Sequence, residues 1–416
     1  MALSRRLLHA TSQATFAEMK RRPLPKTTSI KYTIPTDPYL LSKKFQQVAS
    51  QGKLDDAVAI IMQSKTKSQS VIVWNLVIDT YAKTGRLSRA LRAFTEMRRR
   101  GFKPTLTTYT ALLKACALSD SENSMEIAQD AFDSMQQYGV SPSIITVNAL
   151  LNVYLRKHNI EAILNRFNGL PAEGAMAPSL ATYTIVLSAL RRELQRRLDQ
   201  LLAKPEDTVE VSSLGENRGY MRRRALKKEH VHATFGALMS TWQAFVEDAV
   251  RRIDSRPKDT SLLSIDAHIV NIVLKACHAA FTENRALGRQ GLRVAELVYG
   301  LDRLDKQKSP ADQKATDIKG LPVPLAIRIS QSIAAGSDDD AAGSGPKDGL
   351  GPIIDDTTVE LVLELCMRDD QPTKAVRFWR SVEANFEPMF RPSEKTRQKY
   401  QEVFSAHKQR SDPAKK

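Results

Sequence analysis

One stretch of sequence, residues 71–179, repeats itself three times, and this repetition constrains the fold more than any other feature. Residues 74–78 return 35 positions later as 109–113, and again 38 positions later as 147–151. Internal similarity with a period of about 20 to 50 residues is typical of proteins built from stacked copies of one supersecondary unit. The sequence therefore predicts a repeat array, and its function has to be read from the repeated positions.

Each repeat predicts a pair of helices. Apolar residues recur every three to four positions in its first half, a short turn follows, and a second apolar helical pattern comes after the turn. The second helix ends at a Gly-x-x-Pro sequence, because glycine allows a left-handed cap and proline cannot continue a helix. Two such helices cannot bury their apolar stripes alone, so neighbouring pairs are expected to stack into a solenoid with a concave groove.

The first clear unit resembles the pentatricopeptide repeat. From Val71 it has the pattern V-x-W-N-x-V-I-D-x-Y-A-K-x-G-x-x-x-x-A-x-x-x-F-x-x-M-x-x-x-G-x-x-P. The match is strong for residues 71–143 and continues through 144–190. The resemblance implies an all-α fold, an α-solenoid of helix-turn-helix repeats, whose ligand is single-stranded RNA in mitochondria or chloroplasts. The degenerate units and long insertions are more typical of fungal members of the family than of the regular plant arrays.

The resemblance also implies which side chains would contact RNA. In the family, the fifth residue of a repeat and the last residue before the next repeat contact a base edge, while the second residue packs against the base face. By the family's pattern, asparagine at the fifth position favours a pyrimidine and threonine a purine. The fifth and last positions carried over are Asn75 with Thr105, Thr110 with Ser143, Asn148 with Ser179, and Thr184, and the second positions are Ile72, Thr107, Ile145 and Ala181.

These positions predict the base order pyrimidine, purine, pyrimidine for the three complete pairs. The last positions depart from the family, since all three carry hydroxyls where aspartate or asparagine is common. A hydroxyl can donate or accept a hydrogen bond, so it discriminates less between bases. Helix capping is the alternative role for the same serines and threonines.

The whole chain has 416 residues, enough for a solenoid with additions. The sequence predicts a mitochondrial presequence and linker at 1–35, repeats at 36–190, a charged helical insertion at 191–262, a degenerate repeat at 263–304, a disordered low-complexity loop at 305–354, a degenerate C-terminal repeat at 355–400 and a basic tail at 401–416 that frays from His407.

The N-terminal segment suggests the compartment. The first 31 residues contain seven lysines and arginines and a single acid, Glu18. An arginine-rich, acid-poor leader is typical of a mitochondrial presequence, which predicts a location in the mitochondrial matrix. The alternative is a disordered basic tail that binds RNA directly. No apolar run approaches the ~18 to 20 residues that span a bilayer.

The charge balance favours a polyanionic partner, and the cysteines have a packing role. Lysine and arginine outnumber aspartate and glutamate by 62 to 46, which favours a polyanion, either nucleic acid or an anionic membrane surface. The insertion has a basic start at Arg222–Arg224 and then an apolar helical face, which either packs against the solenoid or docks a partner or membrane surface. The three cysteines, Cys116, Cys277 and Cys366, share one repeat position and are predicted to be buried packing residues.

The binding free energy that base contacts can supply limits what so few repeats can do. Base contacts contribute about 1 to 3 kcal/mol each, and a micromolar complex already requires about 8 kcal/mol. We therefore expect the protein to bind mitochondrial mRNA or rRNA within a larger assembly or with the help of its basic surface. The resemblance to the family implies a role in RNA processing, stability, translation or small-subunit rRNA maturation. A protein-interaction scaffold, such as an assembly factor or ribosome-associated subunit, is the alternative. The sequence predicts no catalytic residue, metal site or cofactor, and a nuclease would need a carboxylate cluster that it does not show.

Overall fold

A computed structural model describes residues 32–203, 214–255, 265–299, 354–386 and 390–411. Fifteen α-helices, one short 3-10 turn at Thr66–Ser68 and no β-strand occur in these ranges, which confirms the all-α prediction for the described residues. None of the described helices is both long and apolar enough to span a bilayer. The chain divides into two compact units, residues 1–185 and 186–416.

The first unit is a stack of helical hairpins. Its A-helices α1, α3, α5 and α7 pack on one another in chain order, and each is followed by a B-helix that packs against it and covers its apolar side. The bounds are α1 Pro38–Ser50, α2 Leu54–Gln63, α3 Val71–Lys83, α4 Leu87–Arg99, α5 Leu106–Leu118, α6 Ser124–Gln137, α7 Ile144–Arg156 and α8 Ile160–Asn168. Two B-helices end in the predicted glycine caps, since Gly101 and Gly139 have φ values of +87° and +72°.

A buried polar network joins the first hairpin to the second. Trp74 is completely buried, and its indole Nε1 donates to Gln69 Oε1 at 3.2 Å. Gln69 Nε2 in turn donates to the carbonyl oxygen of Ile61 at 2.8 Å and to Ser64 Oγ at 3.0 Å. The guanidinium of Arg100 lies 5.6 Å from the Trp74 ring centroid. One tryptophan therefore links α3 to the end of α2 through both packing and hydrogen bonds.

Helix α9 (Leu180–Leu202) begins in the first unit and continues into the second. The sequence predicts a boundary between repeat and insertion at 190/191, but the helix runs through it without a break. The physical reason is that residues 180–202 contain neither glycine nor proline, while leucines at 194, 198 and 201 continue the buried stripe. The predicted insertion therefore starts as an extension of a repeat helix.

The second unit repeats the hairpin arrangement. Helix α11 packs on α13, and B-helices α12 and α14 pack against them, while α15 packs on α13 and α14. Helix α15 continues to Ser411, past His407, where the tail is predicted to begin fraying. The presequence up to residue 31 and most of the low-complexity loop lie outside the described residues. The bounds are α10 Leu214–Ser255, α11 Ala267–Ala280, α12 Arg285–Tyr299, α13 Asp356–Arg368, α14 Pro372–Phe386 and α15 Glu394–Ser411.

A buried carboxylate connects α12 to the turn after α13. Asp369 Oδ1 accepts from Arg285 Nε and from Arg289 Nε, both at 2.7 Å, and its side chain is fully buried. Burial opposes ionisation of this carboxyl, but the hydrogen bonds from Arg285 and Arg289 outweigh that effect and hold the pKa of Asp369 below its ordinary value. The ionised carboxylate is therefore the form that the fold stabilises.

Replacing Asp369 by alanine is expected to lower the free energy of unfolding of the second unit by about 2 to 3 kcal/mol, because the charged hydrogen bonds disappear. This loss in the free energy of unfolding is smaller than for a fully buried ion pair, since both arginines are half exposed. A carboxyl with a lowered pKa stabilises the fold above about pH 4 and loses that effect as the pH falls through its folded-state pKa. Hydrogen exchange of residues 285–299 and 356–386, measured at pH 7 and pH 3.5, checks both effects.

The exposed acid Glu402 in the same unit provides the control, and Glu402→Ala is expected to leave this exchange unchanged. A loss of protection in Asp369→Ala at pH 7 that is no larger than in Glu402→Ala would contradict the role of the ionised carboxylate.

Candidate nucleic-acid interface

The candidate RNA-contacting residues lie in the first turns of the A-helices and at the residues that cap them. Helices α5, α7 and α9 begin directly after Thr105, Ser143 and Ser179. The predicted second positions face solvent: Ile72 is 67% exposed and Ile145 is 66% exposed, and Thr107 and Ala181 are also exposed. Both isoleucines are therefore available as flat apolar contacts.

Asn75 is held in one orientation by the repeat that follows it. The hydroxyl of Thr108 accepts the backbone N–H of Thr105 at 3.0 Å, so its own proton is free to go to Asn75 Oδ1, 2.6 Å away. With Oδ1 fixed as an acceptor, the amide nitrogen is directed to Thr105 Oγ1 at 3.5 Å. The predicted pair Asn75 and Thr105 is therefore brought together, and it presents an N–H group.

Asn148, two repeats further along the chain, has the same geometry. Thr182 Oγ1 donates to Asn148 Oδ1 at 2.7 Å and accepts the backbone N–H of Ser179 at 3.0 Å. The amide Nδ2 of Asn148 donates to Ser179 Oγ at 3.2 Å. A primary amide has two N–H bonds, so one remains for a ligand after this contact.

The threonines at the fifth position behave differently. Thr110 Oγ1 donates to the carbonyl oxygen of Leu106 at 2.8 Å, and Thr184 Oγ1 donates to that of Leu180 at 2.8 Å. No hydrogen bond joins Thr110 to Ser143 in the described structure. Because the hydroxyl proton is used within the helix, the oxygen lone pairs are what each threonine offers.

The fifth positions therefore alternate in hydrogen-bonding character. Asn75 and Asn148 offer a donor, whereas Thr110 and Thr184 offer an acceptor. This difference is a property of the folded repeats, since it depends on where neighbouring hydroxyl protons are directed. It supplies a physical basis for a base preference that changes from one repeat to the next.

The orienting threonines were not among the predicted site residues. Each lies three residues after a capping residue and is completely buried: Thr108, Thr146 and Thr182. Thr146 has no amide at the preceding fifth position to donate to, and its hydroxyl donates to the Ser143 carbonyl at 2.8 Å instead. The recurrence of [ST]-x-x-T at residues 105–108, 143–146 and 179–182 is the sequence signal that could have identified them.

A similar arrangement occurs in the second unit. Asn271 Nδ2 donates to both carboxylate oxygens of Asp355, at 3.0 and 3.1 Å, and Thr358 Oγ1 donates to Asn271 Oδ1 at 2.9 Å. Here the capping residue is an aspartate, whereas the last positions of the three predicted pairs carry hydroxyls. The sequence interpretation missed this pair because 84 residues separate its two members. Asn271 is only 6% exposed, so it is less accessible than Asn75.

The first hairpin contributes a further pair of positions. Tyr39 precedes Ile72 by 33 residues, the same spacing that relates Gly52 to Gly85, and it is 73% exposed. Ser42 stands 33 residues before Asn75, and its hydroxyl donates to the Pro38 carbonyl at 2.9 Å. These residues extend the row by one repeat towards the N-terminus, with an aromatic ring at the second position and an acceptor at the fifth.

Cations line the row further along the A-helices. Lys83 and Arg156 each follow a fifth-position asparagine by eight residues, which places them about 12 Å along the helix axis. Both are exposed, although Lys83 pairs with Asp79 at 2.8 Å. Burial opposes ionisation of Asp79, yet the hydrogen bonds from Lys83 and Lys114 hold its pKa below the ordinary value. This stretch of surface therefore carries both free and paired charge.

The basic run at Arg98–Arg100 has structural contacts. Arg99 and Arg100 each pair with Glu96 at 2.8 Å, and Arg100 Nη2 also donates to the Met62 carbonyl at 3.0 Å. The Arg98 guanidinium lies 4.1 Å from the ring centroid of Tyr138. The run therefore helps to hold neighbouring hairpins together.

The described residues do not gather catalytic or metal-binding groups. Cys116, Cys277 and Cys366 are buried in the helix packing, as predicted, and burial raises the pKa of each thiol to about 12. Thiols with such values stay protonated at neutral pH and are poor nucleophiles. Within the described ranges, no group of three or more His, Cys, Asp or Glu side chains could hold a metal ion.

Comparison with family models agrees with this geometry. The model described as "PPR repeat family" matches residues 69–118, and that described as "Pentatricopeptide repeat domain" matches 122–157 and 131–193. The repeats within residues 69–193 are therefore pentatricopeptide repeats. The matched ranges contain α3 to α8 and the first half of α9, together with all the predicted RNA-contacting positions.

Named relatives of this chain match about a third of its length. The mitochondrial 15S rRNA processing factor of Yarrowia lipolytica is 31% identical over 134 residues, which are 31% of this chain and 17% of the relative. A pentatricopeptide repeat-containing protein of Arabidopsis thaliana is 29% identical over 124 residues, which are 30% of this chain and 17% of the relative. The chain thus matches less than a fifth of the length of either relative.

Solved structures of the family are also similar to the chain. The pentatricopeptide repeat domain of protein-only RNase P 1 from Arabidopsis thaliana has a TM-score of 0.33 at 17% identity, covering 58% of this chain and 93% of that one. The pentatricopeptide repeat protein PPR10 from maize has a TM-score of 0.32 at 16% identity, covering 95% of this chain and 50% of that one.

Proposed function

We propose that the chain binds single-stranded RNA along the first turns of its A-helices and acts in the processing, stability or translation of mitochondrial RNA. The observation that carries the proposal is the alternation of fixed donors at Asn75 and Asn148 with fixed acceptors at Thr110 and Thr184. Oriented polar groups beside exposed apolar side chains are what helical-repeat proteins use to bind unpaired bases. The chain acts by binding rather than by catalysis.

The mitochondrial assignment rests on two independent features. The arginine-rich leader predicts import, and one relative is named as a mitochondrial 15S rRNA processing factor. We infer a location in the matrix, where small-subunit rRNA and mitochondrial mRNA are found, for a protein of the fungal type. Maturation of small-subunit rRNA is the specific role that this relative supports.

Crosslinking and sequencing of the RNA bound to the full chain in mitochondria tests the proposal. We expect enrichment of one or a few mitochondrial transcripts, with crosslinks in residues 39–184. The absence of any enriched transcript, together with stable recovery of protein partners, would favour the protein-interaction scaffold instead.

Exchanging Thr110 for asparagine is expected to change the base preference at one position from purine to pyrimidine. The new amide would take the Thr146 proton that now goes to the Ser143 carbonyl, so an acceptor becomes a donor. A neutral hydrogen bond contributes about 1 kcal/mol, which corresponds to a preference of about fivefold. Binding to oligonucleotides that vary at a single position measures the change.

Thr110→Ser is the matched control for this exchange. Serine keeps the hydroxyl that donates to the Leu106 carbonyl, so the base preference is expected to stay as it is in the wild type. If Thr110→Asn binds RNA with an unchanged preference at every position, the assignment of this residue to a base edge is wrong.

A further inference from the structure

An exposed basic segment, residues 221–230, lies outside the repeats at the start of the described side chains of α10. All ten residues are exposed, although they belong to a continuous helix of 42 residues. Five of them are lysine or arginine, and one, Glu229, is acidic. From Val231 onwards the same helix buries an apolar side chain every three to four residues: Val231, Phe235, Leu238, Trp242, Phe245 and Ala249. One half of α10 is therefore core, and the other half is a charged surface.

The basic segment is fixed in position by contacts at its C-terminal end. Arg197 Nη1 donates to the His230 carbonyl at 2.8 Å, and Lys227 Nζ donates to the Gln200 carbonyl at 3.0 Å. Lys228 Nζ lies 2.8 Å from Glu283 Oε1. These bonds tie the segment to α9 and to the turn after α11, so its charges are presented from an ordered helix.

Three arginines in the segment have no such role. Arg222, Arg223 and Arg224 form no hydrogen bond or ion pair with another described residue. Like charges four residues apart on a helix repel one another, and this holds for Arg223 with Lys227 and for Arg224 with Lys228. A run of cations that the fold leaves unpaired is stabilised when a polyanion neutralises it.

The arrangement fits RNA phosphates better than a membrane. A surface-bound helix needs a continuous apolar stripe, but the two large apolar residues here, Met221 and Leu226, are five residues apart and so lie about 140° apart around the helix. Arginine presents a planar fork of donors that matches a phosphate group. Three consecutive arginines cover about 200° of the helix circumference, so they can follow a backbone without defining a base sequence.

We propose that Arg222–Arg224 form a second RNA-binding surface, which contacts the sugar-phosphate backbone independently of base sequence. This inference rests on the proposed RNA-binding function and deepens it. The repeats select bases over a short row, and the basic segment adds salt-sensitive affinity. Neutralising a phosphate with a cation releases a counterion, so each contact steepens the dependence of affinity on salt.

The test compares the full-length chain with the triple variant R222Q/R223Q/R224Q. R391Q/R397Q/K408Q removes the same formal charge from exposed residues outside the row and is the matched control. Affinity for a single-stranded RNA and for a scrambled sequence is measured between 50 and 200 mM salt. Three lost phosphate contacts are expected to reduce the log–log salt slope by about 2, so wild-type affinity falls roughly 15-fold more over this range, equally for both sequences.

Each other outcome overturns the inference in a distinguishable way. If the wild type binds RNA and the triple variant matches the control, the second surface is absent while the proposed function stands. If the wild type binds no RNA, both fail. If the triple variant loses binding to vesicles containing phosphatidylserine or to polyglutamate, but not to RNA, the segment serves a membrane or an acidic protein. Circular dichroism verifies that each variant keeps its helix content.

Discussion

Replacing Trp74 by alanine is expected to lower the free energy of unfolding of the first unit by about 3 to 5 kcal/mol. Deleting a large, fully buried aromatic side chain removes its burial and leaves a cavity. The change also takes away the donor to Gln69, which is itself only 5% exposed. A buried polar atom without a partner adds its own cost. The effect should concentrate at the first hairpin, because neighbouring contacts stabilise each hairpin of a stacked array.

Hydrogen exchange resolved by segment measures this prediction. Protection of residues 38–63 should fall most in the alanine variant, whereas residues 267–299 in the second unit should be unchanged. Trp74→Phe is the comparison variant, since it keeps one aromatic ring at this position but removes the indole N–H together with part of the buried ring system. It is expected to lose about 1 to 3 kcal/mol, in line with one unsatisfied buried partner. Equal loss in both variants would mean that packing at Trp74 matters little.

Removing both donor side chains, in Asn75→Ala with Asn148→Ala, is expected to weaken RNA binding by about 30- to 700-fold. The estimate takes about 1 to 2 kcal/mol for each lost hydrogen bond to a base, or about 2 to 4 kcal/mol together. Unlike the arginine variant of the basic segment, this change should leave the salt dependence nearly constant, because it removes no charge. Binding of the preferred RNA at fixed salt measures the loss.

Asn123→Ala with Asn168→Ala is the control, since both of these asparagines are exposed and lie outside the row. It removes the same two amides and should bind RNA as the wild type does. Thr108→Val with Thr182→Val separates position from orientation, because it keeps both asparagines and deletes the hydroxyls that orient them. We expect that variant to bind with broader base preference. If Asn123→Ala with Asn168→Ala loses as much affinity for RNA as Asn75→Ala with Asn148→Ala, the fifth-position asparagines do not contact bases.

The sequence and the structure agree where one helical register continues from repeat to repeat. The spacing that relates Asn75 to Asn148 is visible as a period, and the fold places both residues at the same point of their helices with the same partners. Orientation could not be predicted in that way. Which atom receives the Thr108 proton depends on a contact between two helices, and Thr108 and Thr146 look alike in sequence although their protons have different acceptors.

Three other features could not be predicted from the sequence, each for a different physical reason. The boundary expected after Leu190 rested on a change from apolar to charged residues, but composition alone does not end a helix that lacks glycine and proline. Asn271 was visible as a fifth position, whereas its partner Asp355 was hidden by the long segment between them. The structural role of Arg100 was also invisible, because its acceptor lies 38 residues earlier in the chain.

The bond between Asn271 and Asp355 has a consequence for how this chain tolerates change in length. Joining two ends across a flexible segment costs an entropy that grows only with the logarithm of its length, so each doubling adds about 0.6 kcal/mol. A repeat whose two halves already recognise each other at 3.0 Å can therefore carry an insertion of almost any size at little thermodynamic expense. Asn271 and Asp355 therefore keep their bond although 84 positions separate them in the sequence.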